Sequence, residues 1–65
     1  MTYKNKLKAY MDRAEISQKE LARRIGCTEA AVCRYVSGNR VPRVTVALKI
    51  ADILDTTVGA IWGID

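Results

Sequence analysis

The sequence predicts an all-α domain of five short helices, and three observations support this prediction. Apolar residues recur at spacings of three and four along most of the chain, which is typical of amphipathic helices. Side chains that can cap a helix stand just before several of these segments, and glycines stand just after some of them. Apolar and polar residues do not alternate over a useful length, and no Asn-Gly hairpin turn occurs, so no strand is predicted.

The first helix is expected from about Tyr3 to Ala14. Leu7, Tyr10, Met11 and Ala14 would form its inner face, because they are three and four residues apart. The other faces carry charged side chains, as expected of a helix that covers a small core.

The second helix is expected to begin after Ser17 and to end at Gly26. Residues 17–20 read S-Q-K-E, the form of a capping box, in which the serine caps the helix and Glu20 reaches back to it. Gly26 is well placed as the left-handed residue that ends the helix. The predicted inner face consists of Leu21, Ala22 and Ile25.

Three further helices are expected in the remaining half of the chain. Thr28 would cap one that runs from Glu29 to about Val36 and ends at a glycine turn. A proline precedes the next, from Val44 to Leu54, and Thr57 would cap a last short helix through Trp62. The predicted inward-facing residues of these helices are Val32, Tyr35, Val36, Ala47, Leu48, Ile50, Ala51, Leu54 and Ile61.

Length and composition restrict the function. Sixty-five residues suit one domain, 1–65, without a separate effector domain. Histidine is absent and neither a nucleophile–base arrangement nor a metal-ligand cluster is visible, so we predict no enzyme, cofactor, metal or small-molecule ligand. Cys27 and Cys33 are interpreted as free thiols of a cytoplasmic protein. No apolar run is long enough for a membrane span, and no signal peptide is expected.

The charge is distributed unevenly along the chain. The formal net charge is +4, but residues 1–43 hold ten Lys or Arg against four acids, whereas residues 44–65 hold one Lys against three acids. The excess of basic residues in the first two thirds of the chain suggests contact with a polyanion. Solvated helix faces that are rich in lysine would explain the same asymmetry equally well.

Residues 17–36 have the spacing of a helix-turn-helix unit. Two short helices are joined by a tight turn that contains Gly26, and the small Ala22 allows the helices to cross closely. In such a unit the second helix enters the major groove of DNA and the first crosses the backbone.

The segment SQKELARRIGCTEAAVCRYVSGNRVP and the tail TVALKIADILDTTVGAIW resemble the helix-turn-helix proteins of Cro and phage-repressor type, also called the xenobiotic-response-element family. The resemblance extends from about Leu7 to Trp62. It implies a five-helix, lambda-repressor-like DNA-binding domain that acts as a transcriptional regulator, which we interpret as a repressor. The sequence departs from the family at Val36, where an acid is common, at Asp55, where glycine is common, and at Arg43, where a capping Ser or Thr is usual.

The resemblance implies that the helix within residues 28–36 enters the major groove. Base contacts are then expected from Glu29, Ala30, Cys33 and Arg34, which point away from the core. Arg34 is the best candidate because its fork can read guanine, although a phosphate contact or a salt bridge to Glu29 or Glu20 would also explain it. Glu29 can accept from a cytosine amino group or can stabilise the helix dipole.

Phosphate contacts are expected along the edges of the same surface. Gln18 opens the second helix, where free backbone N–H groups favour an anion, although it is also an ordinary first-turn residue. Thr28 can combine a phosphate contact with its role as a cap. The full predicted set is Gln18, Lys19, Arg23, Thr28, Ser37, Asn39, Arg40 and Arg43.

The end of the chain holds more apolar residues than a small core needs. Ile53, Val58, Trp62 and Ile64 are therefore expected to form an exposed patch that joins two copies as a homodimer. A two-fold dimer would place two helices one DNA turn apart, on an inverted-repeat operator. Alternatively, Trp62 folds back as a lid on the core. The patch also fits a second function, a protein-interaction module such as an antitoxin that binds a toxin, in which it would matter more than the predicted DNA contacts.

Overall fold

A computed structural model describes residues 5–63, and five helices without a strand make up that part of the chain. The all-α prediction is confirmed. The helices are α1 (Leu7–Ala14), α2 (Gln18–Ile25), α3 (Glu29–Ser37), α4 (Val44–Ile53) and α5 (Val58–Trp62). None of the helices in these residues is long and apolar enough to span a bilayer.

Three helices begin at a side-chain cap that the sequence predicted. The hydroxyl oxygens of Ser17, Thr28 and Thr57 each accept the backbone N–H three residues further on, at 3.1 Å. The second half of the predicted capping box is wrong. The Glu20 carboxylate does not reach back to Ser17 but binds two arginines on its own helix.

The first helix begins later than its apolar spacing predicted. Asn5 precedes it, and its Oδ1 accepts the N–H of Leu7 at 2.9 Å, so helical backbone starts at Leu7. The same amide group donates through Nδ2 to the carbonyl of Tyr35 at 2.9 Å, which ties the chain before α1 to the end of α3. The predicted start at Tyr3 lies outside the described residues.

Several helices end at a residue in the left-handed conformation. Gly26 has φ +74° and Gly38 has φ +81°, and each stands directly after its helix, as predicted. Asp55 takes the same conformation with φ +55°, where the resemblance implied a glycine, and Glu15 ends α1 with φ +57°. Glycine would adopt these two backbone conformations with less strain than an acidic residue does.

One apolar core joins all five helices. Helix α2 packs against α3 and α4, α5 packs against α1 and α4, and α1 also contacts α3. Val36, where the family often has an acid, is half-buried against this core, and Met11 is buried within it. The fully or nearly buried residues are Leu7, Met11, Leu21, Ala22, Ile25, Val32, Tyr35, Ala47, Ile50, Ala51, Leu54, Ile61 and Trp62.

Two residues predicted to face inward are exposed. Ala14 is the last residue of α1, and its side chain is exposed. Leu48 is 57% exposed because the buried stripe of α4 is centred on Ala47, Ile50, Ala51 and Leu54, which places Leu48 at its edge.

The predicted exposed patch at the end of the chain is wrong for its largest member. Trp62 is only 3% exposed and belongs to the core, so the alternative, a lid folded onto the core, is the observed arrangement. Ile53 and Val58 are half-buried against the same core, and Ile64 lies outside the described residues. A small domain needs its one tryptophan inside because few other side chains offer as much apolar surface.

Candidate nucleic-acid interface

Helices α2 and α3 form the predicted helix-turn-helix. Three residues separate them, and the turn closes as the N–H of Cys27 donates to the carbonyl of Ala22 at 2.9 Å. Gly26 supplies the positive φ that this turn requires. Ala22 is buried in α2, which packs against α3, and a small side chain suits such close packing.

The outer face of α3 is open to solvent. Glu29, Ala30, Cys33 and Arg34 are all exposed, whereas Val32 and Tyr35 on the opposite side are buried. The structure therefore brings the four predicted base-contacting side chains together on one face. An α-helix with its side chains fits into the major groove of B-form DNA.

Arg34 is free of the salt bridges that the sequence left open. Among residues 5–63, ion pairs join only Lys8 to Asp12, and Arg23 and Arg24 to Glu20, so neither Glu29 nor Glu20 holds Arg34. Its guanidinium can therefore meet a base edge or a phosphate without first leaving a carboxylate. Cys33, one residue before it, is an exposed free thiol.

The loop between α3 and α4 lies beside the turn between α2 and α3. Backbone N–H groups of Asn39 and Arg40 both donate to the carbonyl of Arg34, which folds the loop back over the end of α3. Arg40 and Arg43 then line a cleft of about 510 Å³ together with the turn residue Gly26. This arrangement places two cations beside the turn of the helix-turn-helix.

Some of the other residues predicted to contact phosphate already have hydrogen bonds within α3, and others do not. Thr28 accepts the N–H of Ala31, and the Ser37 hydroxyl donates to the carbonyl of Arg34 at 3.1 Å, so both hydroxyls also have roles within α3. Lys19 is exposed on α2, and Gln18 is half-buried in the first turn of that helix, where N–H groups lack intrahelical partners.

Arg23 differs from the other cations of the predicted footprint because it is already paired. Its Nη2 lies 2.6 Å from Oε2 of Glu20, and its Nε donates to Oε1 at 3.2 Å. Arg24 adds a bond from its Nε to Oε2 at 2.7 Å. The hydrogen bonds from Arg23 and then from Arg24 lower the pKa of Glu20 from 4.5 to about 2, and the pKa of Arg23 is raised by the same carboxylate.

Sequence reasoning missed one residue that positions this surface. Asn5 donates to the carbonyl of Tyr35 in the last turn of α3 and so links the chain before α1 to the end of α3. Asparagine often accepts a backbone N–H two residues further on, and that tendency could have drawn attention to Asn5. The described residues contain no group of three or more His, Cys, Asp or Glu that could hold a metal ion.

Comparison with known proteins gives one match that covers most of the chain. A family model described as helix-turn-helix matches residues 7–61. The matched region runs from the first residue of α1 to the penultimate residue of α5, so it includes every helix of the fold. No curated protein matches the chain.

Proposed function

Because the chain belongs to the helix-turn-helix family of Cro and phage-repressor type, which binds double-stranded DNA, we propose that it is a transcriptional repressor that recognises a specific operator. The observation that carries the proposal is the exposed face of α3; the chain also carries exposed cations on either side of α3, Lys19 on α2 and Arg40 and Arg43 in the loop that follows. The protein acts by occupying its site, within the cytoplasm, and residues 1–65 form the one domain that binds the DNA.

Base recognition is assigned to α3. Arg34 would place its fork against O6 and N7 of a guanine, and Glu29 would accept from a cytosine amino group. Ala30 would approach a thymine methyl group, and Cys33 would make a small neutral contact. Only two of these four side chains carry a strong polar group, so the local shape of the DNA is expected to contribute to specificity.

Backbone contacts are assigned to the side chains around α3. Arg40 and Arg43 from the loop and Lys19 from α2 are exposed cations without an ion pair among residues 5–63. Gln18, Arg23, Thr28, Ser37 and Asn39 complete the proposed set. Such contacts fix the register of a protein on the duplex and carry no sequence information.

A second function has one observation in its favour. Val44 and Leu48 are 72% and 57% exposed, and Val41 near them is 49% exposed, which is the kind of apolar surface that partner proteins cover. A protein-interaction module, such as an antitoxin, would use this surface. Trp62, which the sequence predicts as the anchor for that function, is buried.

The test of the proposal is selection of duplexes from a random pool at two salt concentrations. Enrichment of an inverted repeat whose half-sites are about 34–36 Å apart would support a dimeric repressor. Salt-sensitive binding without enrichment would replace it with a non-specific DNA-binding protein. Absence of binding at low salt would overturn the DNA-binding proposal and leave the exposed α4 surface as the candidate site for a protein partner.

Arg40→Ala is expected to weaken binding to all duplexes alike. Removing one phosphate contact should reduce the slope of log affinity against log salt by about one, with no change of preferred sequence. Fluorescence anisotropy on selected and scrambled duplexes measures both quantities. Lys8→Ala is the matched control, because it removes one charge from a lysine that is paired with Asp12 on α1. Equal slopes for the wild type and the Arg40 variant would remove Arg40 from the footprint.

The homodimer is assigned to Ile53 and Val58, which are half-buried in one protomer on the adjacent helices α4 and α5. Ile53→Gln is expected to weaken the dimer by about 1 kcal/mol, roughly fivefold in its dissociation constant, through lost apolar burial. Sedimentation equilibrium with and without the selected duplex measures this. Leu48→Gln is the control on the other side of α4. If the Leu48 variant weakens the dimer and the Ile53 variant does not, the dimer interface lies on the exposed α4 surface.

A further inference from the structure

Glu20 holds two arginines at the surface of the first helix of the helix-turn-helix. Both nitrogens that bind it from Arg23, Nε and Nη2, meet separate carboxylate oxygens, and Nε of Arg24 shares one of them. Such two-point arginine–carboxylate pairs are stronger and more directional than single contacts. The Lys8–Asp12 pair on α1 is looser, with its closest approach at 3.4 Å.

The position of Arg23 makes this pairing relevant to DNA. Arg23 lies four residues after Lys19 and therefore on the same stripe of α2, in the last turn of that helix. Its side chain is 73% exposed, so a phosphate can reach it from solvent. The fork that binds a carboxylate at two points also binds a phosphate at two points. Glu20 and a DNA phosphate therefore require the same nitrogens.

The carboxylate is charged throughout the range in which DNA binding takes place. The pKa of Glu20 is lowered to about 2, chiefly by the hydrogen bond from Arg23 and then by that from Arg24. Because the folded-state pKa lies below the ordinary value of 4.5, the pairing is present above that value and is lost only as the pH falls toward 2. Near neutral pH, DNA must displace a charged competitor.

We propose that Glu20 competes with DNA phosphate for the guanidinium of Arg23 and thereby weakens sequence-independent binding; this inference rests on the DNA-binding function proposed above. The structure contains the competitor and the contested group in direct contact, while Lys19, Arg40 and Arg43 have no ion pair among the described residues. Contacts to phosphate draw free energy from released counterions, and an arginine that is already neutralised releases fewer. Arg23 is thus a partly masked member of the footprint.

The first test compares Glu20→Gln with Asp12→Asn on a duplex of random sequence. Both variants remove one negative charge from an ion-paired carboxylate, so the change in net charge is the same. Glu20→Gln should bind more tightly than Asp12→Asn. Its advantage over the wild type should shrink by roughly 3.5-fold between about 50 and about 200 mM salt, because one more phosphate is neutralised. Equal affinities of the two variants would overturn the inference.

A double-mutant cycle identifies the arginine. The gain from Glu20→Gln should disappear in a protein that already carries Arg23→Gln and should persist in one that carries Arg24→Gln. A gain that persists without Arg23 would overturn the assignment. Circular dichroism melts establish that each variant is folded under the binding conditions.

A second comparison does not depend on the folding of the Glu20 variant. Arg23→Gln in the otherwise unchanged protein should reduce the affinity less than Arg40→Gln does, because Arg23 is masked and Arg40 is not. An equal or larger loss for Arg23→Gln would overturn the inference. If the wild type itself does not bind the duplex at low salt, the DNA-binding function fails and the inference fails with it. Binding by the wild type without the Glu20 effect would overturn the inference and leave the function in place.

Discussion

Replacing Trp62 with alanine is expected to lower the free energy of unfolding by about 3–5 kcal/mol, the usual cost of removing a large buried aromatic side chain. Trp62 is 3% exposed and ends α5, a helix of five residues that is too short to persist without its packing. A domain of this length is stabilised by roughly 3–10 kcal/mol in total. The variant is therefore expected to lose roughly a third or more of its stability.

Urea denaturation followed by circular dichroism measures this loss. Leu48→Ala is the matched control, since Leu48 is a large apolar residue that is 57% exposed, and it should change the free energy of unfolding by less than about 0.5 kcal/mol. The denaturation is repeated at several protein concentrations, because the stability of a dimer depends on protein concentration. A Trp62 variant that unfolds like the wild type but no longer dimerises would reinstate the exposed patch that the sequence predicted.

The local signals in the sequence predicted the fold well because they act within one turn of a helix. Ser17, Thr28 and Thr57 each cap a helix as their positions indicated, and Gly26 ends α2 in the left-handed conformation. These interactions join residues three or four apart, so spacing alone identifies them. The start of α1 is harder to predict from the sequence, because Asn5 is held partly by the carbonyl of Tyr35, which is distant in the chain.

Some of the differences between prediction and structure concern which apolar side chains face inward. The sequence predicts Leu48 inside and favours an exposed Trp62, and the structure shows the reverse for both. Periodicity gives the angle of a side chain around its helix but not the width of the groove that receives it. Helix α5 packs against α1 and α4, and Trp62 at the end of α5 is buried. Contacts between segments that are distant in the chain cannot be predicted from the spacing of apolar residues within one helix.

The candidate site was predictable in its position and only partly in its electrostatics. The exposed face of α3 follows from the same periodicity that buries Val32 and Tyr35. The sequence did not show which partner Glu20 would take, because the serine backbone and two arginines all lie within reach of one carboxylate. The pairing with Arg23 and Arg24 satisfies two charges where the capping box would satisfy one neutral donor, and bonds to charged groups are the stronger kind.

Arg34→Ala is expected to reduce discrimination between the selected operator and single base-pair variants by about 1–3 kcal/mol at one position of each half-site. Arg34 is exposed on the open face of α3, and no carboxylate among residues 5–63 holds it in an ion pair. The side chain can therefore present its fork to a base without the loss of an existing bond. Competition binding with a panel of duplexes, each changed at one base pair, gives the discrimination directly.

Arg34→Lys separates base recognition from charge. Lysine keeps the positive charge but lacks the planar fork that meets guanine O6 and N7 together, so it should retain most of the salt dependence and lose much of the discrimination. If Arg34 contacts a phosphate, the lysine variant should bind nearly like the wild type, and the alanine variant should weaken all duplexes equally. That outcome would leave Glu29 as the only charged side chain of α3 assigned to a base, and specificity would then depend chiefly on the shape of the DNA.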